Sequence, residues 1–284
     1  MNLAEALVRA SDHLADYHIE APRLEAEILL AFYLKIDRIK LIIDHDKQIS
    51  DREAEEFKQL IDRRAAREPS AYIIGKKNFM SLDFIVDRSV LIPRPETELL
   101  AENVLKSKVQ SPKSILDIGT GSGVIAVCLA RYLPDAKVIG IDTSAEALAI
   151  AQKNAERHQV ADRCQFMRSD LFSNIKGKFN LIVSNPPYIP SADFEGLEPE
   201  VRDWEPRGAL DGGPDGLTYI KQLIDKSPIC LNPEGRLTFE FGFGQSKKIR
   251  KLLEENGAYR DIQIIKDYAG IDRIASAQAI SKAD

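Results

Sequence analysis

The run Asn185-Pro186-Pro187-Tyr188 carries the most specific chemistry in the chain. It follows Phe179, Leu181, Ile182 and Val183, an apolar stretch that predicts a buried strand, so the motif falls where that strand ends. Ligands of open α/β sheets bind at the carboxyl ends of strands. The Asn185 side-chain oxygen and the Pro186 carbonyl are acceptors, and two successive prolines stiffen the backbone without donating. A rigid pair of acceptors suits an NH2 group on a flat, conjugated system. The lone pair of such a nitrogen is delocalised, as in a peptide bond. Holding both N–H bonds while the nitrogen pyramidalises aims the lone pair at an electrophile and stabilises the positive charge that develops. Tyr188 offers a π face beside the target. An N-methylated amide cation is strongly acidic, so no dedicated base is required, and His158 reads as a solvated surface residue.

A second cluster, Asp117-Ile118-Gly119-Thr120-Gly121-Ser122-Gly123, stands at an expected strand-to-helix turn. Its glycines let a ligand approach the backbone and the first amides of the helix. They run G-x-G-x-G, whereas a dinucleotide site wants G-x-G-x-x-G and would need a glycine at Val124. Asp142 ends the next strand, where a carboxylate can accept both hydroxyls of a ribose. Asp117 is expected to hold the loop backbone or a ligand ammonium. Asp170, with Leu171 and Phe172 beside it, suits an adenine amino group and ring faces. A ligand with an amino-acid ammonium, a ribose and an adenine but no phosphate is S-adenosylmethionine. Its sulfonium methyl is the electrophile that the first cluster requires.

These clusters need a frame. The chain has 284 residues, 44% of them hydrophobic and 29% charged, which fits one large α/β domain and a smaller partner. A net charge of −5 argues against direct nucleic-acid binding. No apolar run reaches the ~18 residues that span a bilayer, and the first residues carry no secretory signal. Cys128, Cys164 and Cys230 are widely spaced, and the four His residues supply no metal-ligand pattern, so a reduced, cytoplasmic, metal-free protein is expected. Residues 1–70 read as a helical bundle. Leu3, Leu7, Ala10 and Leu14 share one face, Pro22 opens a second helix, and Ser50 with Glu53 starts a later one. Residues 71–95 read as a β-hairpin linker in which Met80, Leu82, Phe84 and Val86 alternate with more polar positions. Residues 96–284 alternate strands and helices, which predicts a doubly wound, mostly parallel sheet. The short Asp267–Gly270 turn makes the last strand antiparallel.

With these features in place, the chain resembles the peptide chain release factor N5-glutamine methyltransferases, the PrmC/HemK family. The resemblance rests on Arg23–Glu27, on Pro93-Arg94-Pro95-Glu96-Thr97-Glu98, on the Asp117–Gly123 loop and on Asn185–Tyr188. Glu205-Pro206-Arg207, Asp211–Gly213, Asp215–Leu217, Glu240–Gln245 and Ala269–Arg273 extend it. Ala21-Pro22 departs from it where the family usually has an Asp, as does Leu171, where some members carry Trp. The resemblance implies a Rossmann-like class I methyltransferase sheet, with the helical bundle recognising the release factor. It implies methyl transfer to the glutamine of the Gly-Gly-Gln loop of class I release factors. Gly119, Thr120, Gly121, Ser122, Gly123, Asp142, Asp170 and Leu171 would surround the cofactor, with Thr97 and Glu98 closing over it. Asn185, Pro186, Pro187 and Tyr188 would hold the glutamine, with Asn185 also touching the cofactor.

Three other readings stay open at this level. A glutamine methyltransferase of a ribosomal large-subunit protein shares the chemistry, although the Pro93–Glu98 segment favours a release factor. A DNA adenine-N6 methyltransferase would need a basic recognition region, where residues 1–70 carry a net charge of −4. An adenosine-binding regulatory module would keep the cofactor loop without needing Asn185. Between Ser191 and Gly216, eight acids face two arginines, and this long connection is expected to dock a basic region of the partner.

Overall fold

The computed structural model describes residues 1–106 and 113–280, which divide into two compact units. The first unit comprises Met1–Lys76 and Glu198–Trp204. It contains α1 (Leu3–Asp16), α2 (Pro22–Leu34), α3 (Arg38–Ile43), α4 (Asp51–Ala65) and α5 (Ser70–Ile74). Helix α1 starts at a capping box: Asn2 accepts from the Glu5 amide, and Glu5 accepts from the Asn2 amide. Ser50 and Glu53 repeat the device at α4. Leu3, Leu7 and Leu14 meet Leu29, Leu30, Phe57 and Ile61 in one apolar core. Ala21, in the left-handed region at φ 47°, precedes α2 without a side-chain cap.

The second unit, from Lys77, takes in all but the first residue of a hairpin, β1 (Lys76–Phe79) and β2 (Leu82–Ile85), followed by α6 (Pro95–Lys106). Its turn is Met80-Ser81, both at positive φ, the backbone of a two-residue hairpin turn. The expected alternation therefore starts at Leu82, and Met80 lies in the turn. Glu98 accepts the Met80 amide, and the Tyr132 hydroxyl donates to the Met80 carbonyl, which holds this conformation without a glycine.

From there the chain alternates through β3 (Ser114–Ile118), α7 (Val124–Tyr132), β4 (Lys137–Asp142), α8 (Ala145–Arg157), β5 (Cys164–Arg168) and β6 (Phe179–Ser184). It continues with α9 (Pro199–Arg202), which belongs to the first unit, then α10 (Thr218–Cys230), β7 (Leu231–Glu240), α11 (Ser246–Asn256), β8 (Tyr259–Lys266) and β9 (Asp272–Ala279). The seven-stranded sheet has the order β5-β4-β3-β6-β7-β9-β8. Its strands run parallel up to β7, and β9 is antiparallel to both neighbours, as the short turn before it predicts.

Both faces of the sheet are covered. Ile115, Leu181 and Val183 pack with α6 and α7 on one side, and Leu116 and Ile182 with α10 and α11 on the other. The chain leaves β3 toward β4 and β5, then returns to β6 on the opposite side, so β3 and β6 flank a topological switch point. Ile118 aligns with Ser184, which places the Gly119–Gly123 loop and the Asn185–Tyr188 motif side by side. Among the described residues, no helix is long and apolar enough to cross a membrane.

Candidate active site

A cavity of about 610 Å³ opens at the switch point. Its walls include Gly119–Ser122 after β3, Asp142–Ser144 after β4, Ser169–Leu171 after β5 and Ser184–Pro187 after β6. Pro93, Arg94 and Thr97 line it from the start of α6.

The glycine loop is held from below by Asp117, fully buried at the end of β3. One of its oxygens, Oδ2, accepts from the Thr120 hydroxyl (2.7 Å) and from the Ala126 amide in α7 (3.2 Å). The other, Oδ1, is buried without a partner. Burial pushes this carboxyl up to about 7, against the two hydrogen bonds that lower it. Gly119 and Gly121 have φ of 70° and 55°, and a β-carbon on either would meet no atom within 4 Å. Their bare faces border open space, which is the surface an extended ligand requires. Gly123 differs: it does not line the cavity, and a β-carbon there would lie 2.9 Å from Ala151 Cβ. It is glycine so that the loop can pack against α8. Asn154 of α8 completes the support, donating to the Ser122 carbonyl and exchanging two bonds with Ile85 of the hairpin.

Asp142 sits beside the loop, with Oδ2 accepting from the Gly121 amide (2.9 Å) and Oδ1 from the Ser144 amide (3.0 Å). Asp170 and Leu171 border the same cavity, Asp170 exposed and Leu171 buried in a left-handed conformation at φ 45°.

Asn185 points its amide group at α6, where Nδ2 donates to Thr97 Oγ1 (2.9 Å). Thr97 in turn donates to Glu240 Oε2 at the end of β7 (2.7 Å). No donor among the described residues reaches Asn185 Oδ1 or the Pro186 carbonyl, and both residues border the cavity. The backbone behind the motif is clamped. Gly212 donates to the Ile189 carbonyl, and a β-carbon on it would lie 2.8 Å from the Pro187 carbonyl oxygen. Gln245 donates to the Tyr188 carbonyl (2.9 Å) and accepts the Gly242 amide. The Ser184 hydroxyl ties the strand end to the Ile118 carbonyl.

Other sequence expectations land elsewhere. Tyr188 does not line the cavity; its hydroxyl meets Glu240 Oε1 (3.2 Å) and its ring joins the core beneath α10 and α11. Glu98 is occupied at the hairpin turn and is likewise absent from the cavity wall. His158 is half-buried, not a solvated residue: its ring packs on Phe84 and Nε2 contacts the Asp83 carbonyl, with burial holding its pKa down. The acidic connection is also largely self-neutralised. Glu200 pairs with Arg64 and Arg67, Asp203 with Arg202, Glu205 with Arg94, Asp211 with Arg207 and Asp215 with Lys221. The expected free acidic face is therefore much reduced.

Glu205, Glu240 and Gln245 belong to resembling segments, but their roles were not read from the sequence. Glu205 accepts from the Ile92 amide and from Arg94, fixing the segment that enters α6. The local signal was a charged residue inside an apolar strand context at Glu240, and an acid followed by Pro at Glu205.

A model of the PrmC N-terminal domain matches residues 5–75, and one of the methyltransferase small domain matches residues 95–195. A release factor glutamine methyltransferase of Geobacter sulfurreducens is 44% identical, over 94% of this chain and 93% of its own. One from Moorella thermoacetica is 44% identical, over 96% of this chain and 97% of its own. The chain belongs to the release factor glutamine methyltransferase family. Among solved structures, a methyltransferase from Pyrococcus furiosus shares the fold at a TM-score of 0.54 and 20% identity, covering 76% of this chain and 98% of its own. The family and the fold together make this chain a methyltransferase of the S-adenosylmethionine-dependent kind.

Proposed function

We propose that the chain methylates the side-chain amide nitrogen of the glutamine in the Gly-Gly-Gln loop of class I release factors, with S-adenosylmethionine as donor. One observation carries the reading: Asn185 and Pro186 border the cavity beside the glycine loop, and among the described residues no donor reaches Asn185 Oδ1 or the Pro186 carbonyl. The names of the relatives support the release factor as substrate over a ribosomal protein or a DNA adenine. Acting on a translation factor places the work in the cytoplasm. The helical unit would contribute recognition, and α3 exposes Ile39, Ile42 and Ile43 there.

When bound, the cofactor supplies a methyl group already activated by its sulfonium. Gly119 and Gly121 leave room for it, Asp142 is placed for its ribose, and Leu171 gives an apolar surface beside Asp170. Asn185 and Pro186 would each accept one N–H of the glutamine carboxamide, fixing the nitrogen and favouring charge on it. The clamps at Gly212 and Gln245 keep these acceptors still, so little reorganisation is needed as the nitrogen pyramidalises. The product amide cation loses its proton to water.

The test is incubation of purified protein with labelled cofactor and a release factor, followed by peptide mass spectrometry. A methyl on the glutamine side chain supports the reading. A methyl on another residue, or full activity in Asn185→Ala, overturns it.

A further inference from the structure

Glu240 is 1% exposed and does not line the cavity; a hydrogen bond ties it to Thr97, which does and is itself 3% exposed. A buried carboxylate needs a reason, because desolvation opposes its charge. Its two oxygens meet the hydroxyls of Thr97 and Tyr188, and both hydroxyls have one proton to give. An ionised carboxylate cannot donate, so the Thr97 proton must point to Glu240. Thr97 then turns only lone pairs toward Asn185, which must answer with its NH2 group. The amide oxygen is left for the cavity.

The direction of this chain of bonds decides what the substrate meets. With the opposite flip, Asn185 would present N–H to the N–H of a carboxamide, and the two would repel. Side-chain amides are nearly symmetric in shape, so packing alone does not choose between flips. A charged anchor does.

We propose that Thr97 and Glu240 are positioning residues that set the flip of the Asn185 amide, so that Oδ1 faces the substrate nitrogen. The proposal rests on the methyl-transfer reading above and assigns it two further residues. Protonation of Glu240 on Oε2 would reverse the relay: Glu240 would donate to Thr97, and Thr97 would donate to Asn185 Oδ1. Burial raises Glu240 to about 7; the hydroxyls of Thr97 and Tyr188 and the charge of Arg273 on β9 oppose the rise, and Glu96 on α6 adds to it. Arg273 is itself paired with Asp267. A relay that works only when Glu240 is charged is lost as pH falls through about 7.

The experiment compares wild type, Thr97→Val, Thr97→Ser and Glu240→Gln. The readouts are kcat, KM and release factor affinity in the dead-end complex with S-adenosylhomocysteine. Thr97→Val keeps the shape and removes the relay. Its kcat is expected to fall roughly 10–100-fold, the range seen when an outer hydrogen-bond partner of a metal ligand is lost. KM and dead-end affinity should stay within about threefold, a split that a collapsed pocket would not give. Thr97→Ser should recover kcat to within about threefold of wild type. In wild type, kcat should drop as pH falls through about 7. Both Thr97→Val and Glu240→Gln should lose that acid limb. Wild-type kcat in Thr97→Val, equal losses in the Val and Ser variants, or an acid limb that persists in Glu240→Gln would each overturn the proposal. A wild-type protein that methylates no glutamine would instead overturn the functional reading.

Discussion

Gly121 and Gly123 lie two positions apart in one loop, both at positive φ (55° and 80°), yet alanine at each should fail in a different way. Either substitution forces a β-carbon into the left-handed region, which costs roughly 1–2 kcal/mol. Part of that is offset by about 0.4–1 kcal/mol of lost unfolded-state entropy. At Gly121 nothing else is added, because the new methyl meets no atom within 4 Å. At Gly123 the methyl would lie 2.9 Å from Ala151 Cβ and 3.1 Å from Ala151 Cα, so helix and loop must part. Such overpacking costs a further ~1–3 kcal/mol. For a domain of this size each kcal/mol moves Tm by about 2–4 °C. Gly121→Ala should therefore lower Tm by only a few degrees, and Gly123→Ala by roughly 5–15 °C. Ligand affinity should sort the other way. The Gly121 methyl projects into the cavity and should weaken S-adenosylmethionine binding tenfold or more, whereas Gly123→Ala, measured where it is folded, should stay within about threefold. Thermal unfolding and titration calorimetry read the two effects separately. Equal affinity losses, or a larger Tm drop in Gly121→Ala, would refute the division of labour.

Asp117, raised to about 7, stays protonated in the folded chain over a pH range where the unfolded chain has already ionised, so stability falls as pH rises from about 4 to about 7. Asp117→Asn removes that share, and urea unfolding at pH 5 and pH 8 should show a shallower slope than wild type; an unchanged slope would show that Asp117 does not titrate as burial demands. In the helical unit, the Arg64 side chain is 8% exposed, holds Glu25 and Glu200, and leaves Nη1 without a partner among the described residues. Glu200→Gln should destabilise by roughly 1–3 kcal/mol through an undercompensated buried cation, and a urea midpoint equal to wild type would count against it.

The frame was legible because it is written locally. Apolar runs such as Leu181–Val183 and glycine-rich turns recur at the spacing of strand and helix, and a five-residue connection leaves β9 no room for a parallel crossover. The two ligand clusters were visible for the same reason, each being one contiguous loop after one strand. What escaped is non-local. Thr97 and Glu240 are separated by 143 positions, and nothing near either residue announces the bond between them. The sequence marks Tyr188 by its ring, but its hydroxyl bonds Glu240 and the residue does not line the cavity. The net charge counted between Ser191 and Gly216 does not show that five of its acids are paired, with arginine and lysine partners both inside and outside that segment. The β7 strand shows the limit of local pattern as well. It starts at Leu231, earlier than its apolar run suggests, because Gly235 lets the Phe179 carbonyl approach and the register slips between Phe179 and Leu181.

The site places two fully buried carboxylates, Asp117 and Glu240, at strand ends, one under each reactive loop. Burial raises both to about 7, so at neutral pH folding gains little from ionising either and pays for each in desolvation. Neutral side chains of the same shape would make a more stable sheet. A carboxylate differs from them in accepting only, and so it fixes the sense of every hydroxyl and amide bonded to it. Once ionised, Asp117 imposes that sense on the Thr120 hydroxyl, and Glu240 imposes it on Thr97 and, through Thr97, on Asn185. The cavity thus inherits its polarity from groups that lie beneath its walls, and stability is given up there to keep the acceptors pointing outward.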